Sequence, residues 1–379
     1  MPLPDTDKSA FRKNWWKILC VVFLTWSLTA GLMLPLRVGV MNVEPGSVKS
    51  GDDIELKVEC YNAYLKENFT NKNIQSTAWL HIDSSFKIDN GAKKIDSTVA
   101  FAIRSRKCVV LDDNHAIYSF KIPEFLPSES KLESASLLIN VGENAQAIRP
   151  EAVTITQDSI NAVQGRAAWN ATLDIQRIWR LQFPFRNLLY ETIRNTFFHV
   201  PMWFVMFTLF GIAVYHSARY LLKNNIETDL KAAAYTQTGV LFGFLGLFTG
   251  GFWAKYAWGQ AFPMDIKIIM TYTCLAIYLA YFLLRSAFDN FEQRARISAA
   301  YSIFAFVAII PLIYVVPKLS PDSLHPGNGN GNPAFGSQDL DNTLRLVFYP
   351  ASIGWILLGL WIASLVVRYQ KIKSNLEYQ

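Results

Sequence analysis

The 379-residue chain is short of charge and of cysteine. Asp, Glu, Lys and Arg make up only 17% of it, below the quarter usual for a soluble domain. Hydrophobic residues fill the gap at 51%, with 14% aromatic. That balance describes a membrane protein carrying some soluble mass. The net charge of +6 is modest. It fits Lys and Arg gathered at membrane ends better than a nucleic-acid partner. The four cysteines form no C-x-x-C pair and no zinc spacing, which excludes those redox and metal motifs. Cys20 and Cys274 fall in apolar runs. Cys60 and Cys108 lie in a polar segment, where a disulfide and two separate buried thiols are both open. The glycines of "GNGNGN" lack the strand and helix of a Walker or Rossmann loop, so they form a flexible connection. No acid–base pair or activated nucleophile stands out. No catalytic residue is assigned, and any ATP-driven work falls to a partner.

What the chain does have is long apolar runs. A spanning helix needs about 20 such residues, and six segments qualify. The first is "WWKILCVVFLTWSLTAGLMLPL". It is long for a secretory signal and lacks an A-x-A-like site, so it reads as an anchor. The others are "HVPMWFVMFTLFGIAVYHSARYL", "TQTGVLFGFLGLFTGGFWA", "IKIIMTYTCLAIYLAYFLL", "ISAAYSIFAFVAIIPLIYVV" and "LVFYPASIGWILLGLWIASLVV". The third is interrupted by glycines and is the weakest. With the N-terminus inside, the inner ends hold Lys8, Arg12, Lys13, Arg219, Lys223, Lys231, Arg285, Arg294, Arg296, Arg368, Lys371 and Lys373. The short outer loops hold only Lys255, Lys318 and Arg345. This asymmetry supports six spans with both termini cytoplasmic.

The polar stretch between the first two spans is then outside. Its short alternating runs, punctuated by Pro, Gly, Asn and Asp, predict a β-sandwich. The predicted fold class is a polytopic α-helical membrane protein of six spans with an inserted extracytoplasmic all-β, sandwich-like domain. Its parts are residues 1–37, the N-terminus and first span, and 38–155, the β domain. Residues 156–197 are predicted to be an amphipathic helix on the membrane surface. Residues 198–370 form a five-span core with a Trp-rich loop over 249–265 and an outer loop over 318–345. Residues 371–379 are a cytoplasmic tail. "NFT" and "NAT" match glycosylation sequons, a common chance match.

Two of the five histidines open or approach a span on the outer side: His199 in "FFHVPMWF" and His325 in "SLHPGNGNGNPAF". The stretch "TGGFWAKYAWGQAFPMD" falls on the same side. Two imidazoles can supply both axial ligands of a heme iron. Trp can offer flat apolar contact, and Lys255, Lys267 or Arg345 can pair with propionates. Trp and Tyr also gather at membrane interfaces without any ligand, so a plain aromatic belt is the alternative. His81, His115 and His216 are expected to be structural.

In order, "FFHVPMWF", "WAKYAWGQAFPMD" and "LHPG" resemble the heme-handling membrane proteins of cytochrome c maturation of the CcmC type. The resemblance covers roughly residues 10–37 and 190–372. It implies that His199 and His325 are the axial ligands of the iron of heme b. It also implies that Trp253, Lys255, Trp258, Gly259 and Asp265 belong to the Trp-rich heme platform. The signature of that family has three further Trp where this chain has Ala261, Phe262 and Met264, and the large β domain lies outside its usual pattern. The implied function is to bind heme at the outer face of a bacterial inner membrane and present it to a periplasmic heme chaperone. The implied partners are that chaperone, ABC-type heme export or release subunits, a small one-span subunit and membrane lipid, with no nucleic acid. Two other classes stay open on the residues alone. A membrane-anchored sensor or scaffold would bind a peptide or glycan on its β domain and leave both histidines dispensable. A permease for another substrate is disfavoured by the few charges within the spans.

Overall fold

A computed structural model describes residues 5–73, 75–89, 94–142, 145–173, 181–187, 189–320, 323 and 340–377. It divides into a helical unit, Met1–Leu34 with Glu191–Gln379, and a β unit, Pro35–Tyr190.

The helical unit contains the six expected spans: Asn14–Met33, Tyr190–Lys223, Ile226–Trp258, Ile266–Ser286, Phe291–Leu319 and Asn342–Leu376. The chain is therefore a multi-pass membrane protein. The main helices are α1 (Asp5–Met33), α4 (Thr196–Lys223), α5 (Ile226–Trp258), α6 (Ile266–Ser286), α7 (Phe291–Ile310) and α9 (Asn342–Glu377). The fifth span continues beyond α7 through a π turn, Pro311–Val315, into α8 (Val316–Leu319). We call the end where the chain leaves for residues 35–190 the insertion end.

The glycines do not interrupt the third span. Helix α5 is continuous over 33 residues, because lipid offers no partner to a broken backbone. The glycines instead let α4 approach closely, as small residues do between membrane helices. A Cβ at Gly239 would stand 2.5 Å from the Phe210 ring, and one at Gly246 would stand 2.8 Å from Trp203. Met206 lies over Gly243, and His199 over Gly250. These α4 side chains recur at intervals of three and four, one face of a helix.

At the opposite end, α5 and α6 are fastened by charge. Arg285 donates to both carboxylate oxygens of Asp229, at 2.7 and 2.5 Å, and the Asp229 side chain is only 3% exposed. Glu227 accepts from Lys371 of α9 at 2.7 Å and pairs with Lys231 at 2.9 Å.

The β unit holds two sheets. The first is ordered β1 (Gly39–Glu44), β3 (Asp53–Tyr61), β7 (His115–Lys121), β6 (Lys107–Val110). The second is ordered β2 (Ser47–Lys49), β9 (Ala145–Thr156), β8 (Leu132–Gly142), β4 (Thr77–Asp89), β5 (Lys94–Arg104). Alternation puts Leu56, Val58 and Cys60 of β3 inside while Glu55 and Lys57 face out. They share one core with Leu80, Leu137, Ile139, Val153 and Ile155 of the other sheet. Tyr118 crosses that core. Its hydroxyl lies 2.6 Å from Ser76 Oγ, which donates onward to the Asn140 carbonyl.

All four cysteines are free thiols. The register explains why Cys60 and Cys108 do not pair: Cys108 lies opposite Tyr118, and Tyr118 opposite Leu56, four residues along β3 from Cys60. Burial pushes the Cys60 thiol up to about 12. A neutral thiol is therefore favoured in the fold, and its contribution is complete below the ordinary value of 9.0. That contribution is lost as pH rises from there toward about 12. At about pH 8 an alkylating reagent should spare Cys60 in the folded protein and modify it on unfolding, read by mass spectrometry.

The stretch expected to be one amphipathic surface helix is not continuous. Among its described residues, α3 (Ala162–Ala168) is short and belongs to the β unit. Gly165 packs so closely that a Cβ would meet the Leu126 carbonyl. Arg166 donates to the Pro127 carbonyl at 3.2 Å, and Trp169 lies in the β core. Further on, Phe183 exchanges backbone hydrogen bonds with Pro35 and Arg37, and Pro184 follows it. A 3-10 turn, Tyr190–Asn195, then leads into α4. Of the two sequon asparagines, Asn68 on α2 (Leu65–Lys72) donates its amide to the carbonyls of Ala63 and Val141. That leaves the Asn68 amide committed to the fold.

Candidate functional site

The insertion end gathers the start of α4, the end of α5, the start of α6 and, among the described residues before α9, Ser323. Asn195 and His199, one helical turn apart, both reach α5. Asn195 Nδ2 donates to the Thr249 carbonyl at 2.9 Å. His199 Nδ1 lies 3.0 Å from the Gly246 carbonyl oxygen and 3.3 Å from Thr249 Oγ1. A carbonyl only accepts, so Nδ1 carries the hydrogen and Nε2 keeps its lone pair. Trp203 Nε1 donates to that nitrogen at 3.4 Å, and the two rings meet edge to face. Gly250 makes room for the imidazole: a Cβ there would stand 2.6 Å from His199 Cε1. The ring is thus held in one tautomer and one orientation, as an outer partner does for a ligating histidine.

The Trp-rich segment differs from the expected loop. Residues 249–258 are the last turns of α5, and only Gly259–Met264 form the connection to α6. Trp253 and Trp258 are five apart on the helix and meet edge to face, with ring centroids 4.9 Å apart. Lys255 donates to the Gly259 carbonyl at 3.1 Å. Gly259 closes the helix at φ 77, a left-handed position that favours glycine. Lys255 and Gly259 therefore have a capping task. Phe262 folds back over Gly251, while Met264 is 86% exposed.

Asp265 is buried and caps α6, accepting from the Lys267 backbone at 2.9 Å. Its other oxygen accepts from Ser323 Oγ at 2.8 Å. Ser323, two residues before His325 in the sequence, is thereby tied to the end of the Trp segment. His325 itself lies outside the described residues. Lys267 is in electrostatic range of both His199 and Asp265. Arg345 sits half-buried in the first turn of α9.

The other histidines have other partners. His216 stacks on Tyr235 nearer the opposite end. His115 Nδ1 lies 2.9 Å from both oxygens of Asp112, and His81 lies 3.6 Å from Asp83, both in the β unit. The sequence reading missed the α5 niche made by Gly246, Thr249 and Gly250, and also Asn195, Trp203 and Ser323. The glycine spacing in "GVLFGFLGLFTGG" was a usable signal for close helix contact. Nothing local pointed to Ser323.

The fold and the site define a six-span membrane protein with an oriented histidine beside a tryptophan-bearing helix end. Comparison with known proteins gives the family. The family described as heme exporter protein C (CcmC) matches residues 166–376, more than half of the chain, and the chain belongs to it. The match begins within α3, so α1 and most of the β unit precede it. Heme exporter protein C of Bradyrhizobium diazoefficiens is 28% identical over 192 residues, covering 48% of this chain and 68% of the relative. That of Haemophilus influenzae is 23% identical over 204 residues, covering 54% and 81%. That of Escherichia coli K12 is 24% identical over 202 residues, covering 52% and 76%.

Proposed function

We propose that this protein binds heme at the insertion end as cargo for export and cytochrome c maturation, with His199 and His325 as axial ligands of heme b. The observation that carries the proposal is the state of His199. With Nδ1 committed to the Gly246 carbonyl, the nitrogen left over is the lone-pair donor that a heme iron takes. Coordination displaces the weak donor Trp203 from Nε2. Trp253 and Trp258 give the porphyrin apolar contact, while Gly259 and Asp265 shape the turn beneath it. Lys267, Lys255 and Arg345 are the cations available to propionates. The resident groups bind, orient and shield the cargo, and no bond-making step is assigned to the chain.

The insertion end faces the periplasm in this proposal, with both termini in the cytoplasm of a bacterial cell and the inner membrane as its site. The heme is handed to a periplasmic heme chaperone, and ABC-type subunits with a small one-span subunit drive its release. The distribution of Lys and Arg supports the orientation. The test is a visible absorption spectrum of the protein purified in mild detergent, compared with His199→Ala, His325→Ala and the double variant. Wild type should carry a six-coordinate Soret band that weakens in each single variant and is lost in the double. A band that persists unchanged in the double variant would sink the assignment.

A further inference from the structure

Helix α9 contains Pro350. Proline has no amide hydrogen, so the carbonyl of Leu346, four residues earlier, loses its helical donor. Leu346 is 50% exposed at the start of the sixth span, beside Arg345, and an unpaired carbonyl there weakens the end of the helix. The missing donor comes from another helix. Trp26 of α1 points its indole Nε1 at the Leu346 oxygen, 3.1 Å away.

The pairing falls on a continuous antiparallel seam. Trp16 meets Trp361 edge to face at 6.3 Å. Cys20 Sγ donates weakly to the Gly354 carbonyl at 3.5 Å. Gly354 itself lies so close to α1 that a Cβ would stand 3.1 Å from Phe23 Cβ. Trp26 and Leu346 continue this series toward the insertion end. Beyond Pro350 in that direction α9 has only two turns left, and they pack on α4. Leu344, Val347 and Phe348 are buried, and Phe348 meets Phe204 edge to face at 6.2 Å. Phe204 lies five residues after His199 on the same helix.

We infer that Trp26 is a positioning residue: its indole N–H replaces the backbone donor that Pro350 lacks, and so holds the first two turns of α9 helical against the span that carries His199. The effect on heme rests on the heme-binding proposal above, whereas the hydrogen bond does not. Trp26→Phe keeps a large apolar ring toward lipid and removes only the donor. Pro350→Ala gives α9 its own amide back and makes the indole dispensable. The two changes are therefore expected to be non-additive.

The experiment measures hydrogen–deuterium exchange of the 343–349 amides in heme-free protein in detergent, and the low-spin heme band in loaded protein. Trp26→Phe should speed exchange about three- to tenfold, the scale of one hydrogen bond, and shift heme from the low-spin to the high-spin form. Trp26→Phe with Pro350→Ala should restore both. Unchanged exchange in Trp26→Phe, or no restoration in the double variant, overturns the inference. So does faster exchange with a low-spin band that stays at the wild-type level. Restored exchange in a protein whose wild type never forms low-spin heme upholds the hydrogen bond and refutes the heme proposal instead.

Discussion

Gly250→Ala is expected to lower the heme bound per protein about tenfold or more, while Gly251→Ala stays close to wild type. The two glycines are neighbours on α5, but an added methyl meets different things. At position 250 it would stand 2.6 Å from His199 Cε1 and 3.1 Å from Nδ1. That ring cannot simply swing away, because Nδ1 is bonded to the Gly246 carbonyl and lies beside Thr249. Forcing atoms into such a contact costs about 1–3 kcal/mol, and each 1.4 kcal/mol is about tenfold in affinity. At position 251 the methyl meets the Phe262 ring at 2.8 Å and the Ala261 carbonyl at 3.3 Å, but Phe262 is 58% exposed and can turn outward, and the carbonyl lies in the connection to α6 and needs to yield only slightly. Both variants should insert and fold, so heme per protein from a pyridine hemochrome assay is the direct readout. Equal losses in the two variants would mean that His199 is not what Gly250 protects.

Asp229→Ala is expected to give the largest loss of stability of any single change at the opposite end. It would leave the half-buried Arg285 guanidinium without the carboxylate that meets it through two hydrogen bonds. Breaking a buried pair from one side costs about 3–5 kcal/mol. Replacing both partners, as Asp229→Leu with Arg285→Met, should cost far less, because no uncompensated charge remains. The measurement is the midpoint of denaturant unfolding in detergent for the two singles and the double. Heme content at the insertion end should follow stability only, since the pair touches none of the residues around His199. A double variant as unstable as Asp229→Ala would show that the pair is more than mutual compensation.

The spans were legible because their signal is local: each run is long enough, and the cations sort to one side. The β sheets were legible from alternation, as in Leu56, Val58 and Cys60. What escaped was set by distant neighbours. The glycines of α5 read as an interruption, yet Gly239, Gly243, Gly246 and Gly250 each seat an α4 side chain some 30 to 50 positions earlier in the chain, from Phe210 to His199. The Trp segment read as a loop because its composition is interfacial, while its backbone continues the helix to Trp258. The stretch after the β domain read as one amphipathic helix. Gly165 and Trp169 instead bind its first part to the β core, which no helical periodicity can announce. The candidate histidine at position 199 was visible from its place at a span end. Its tautomer was not, since that depends on a carbonyl 47 residues away.

The most direct measurement is resonance Raman spectroscopy of heme in His199→Gly, with and without added imidazole. The glycine removes the proposed ligand and leaves a cavity of its size beside Gly250. The expected result is loss of the six-coordinate low-spin signature and its return when imidazole fills the cavity. A low-spin signature that is unchanged in His199→Gly without imidazole would contradict heme ligation by His199.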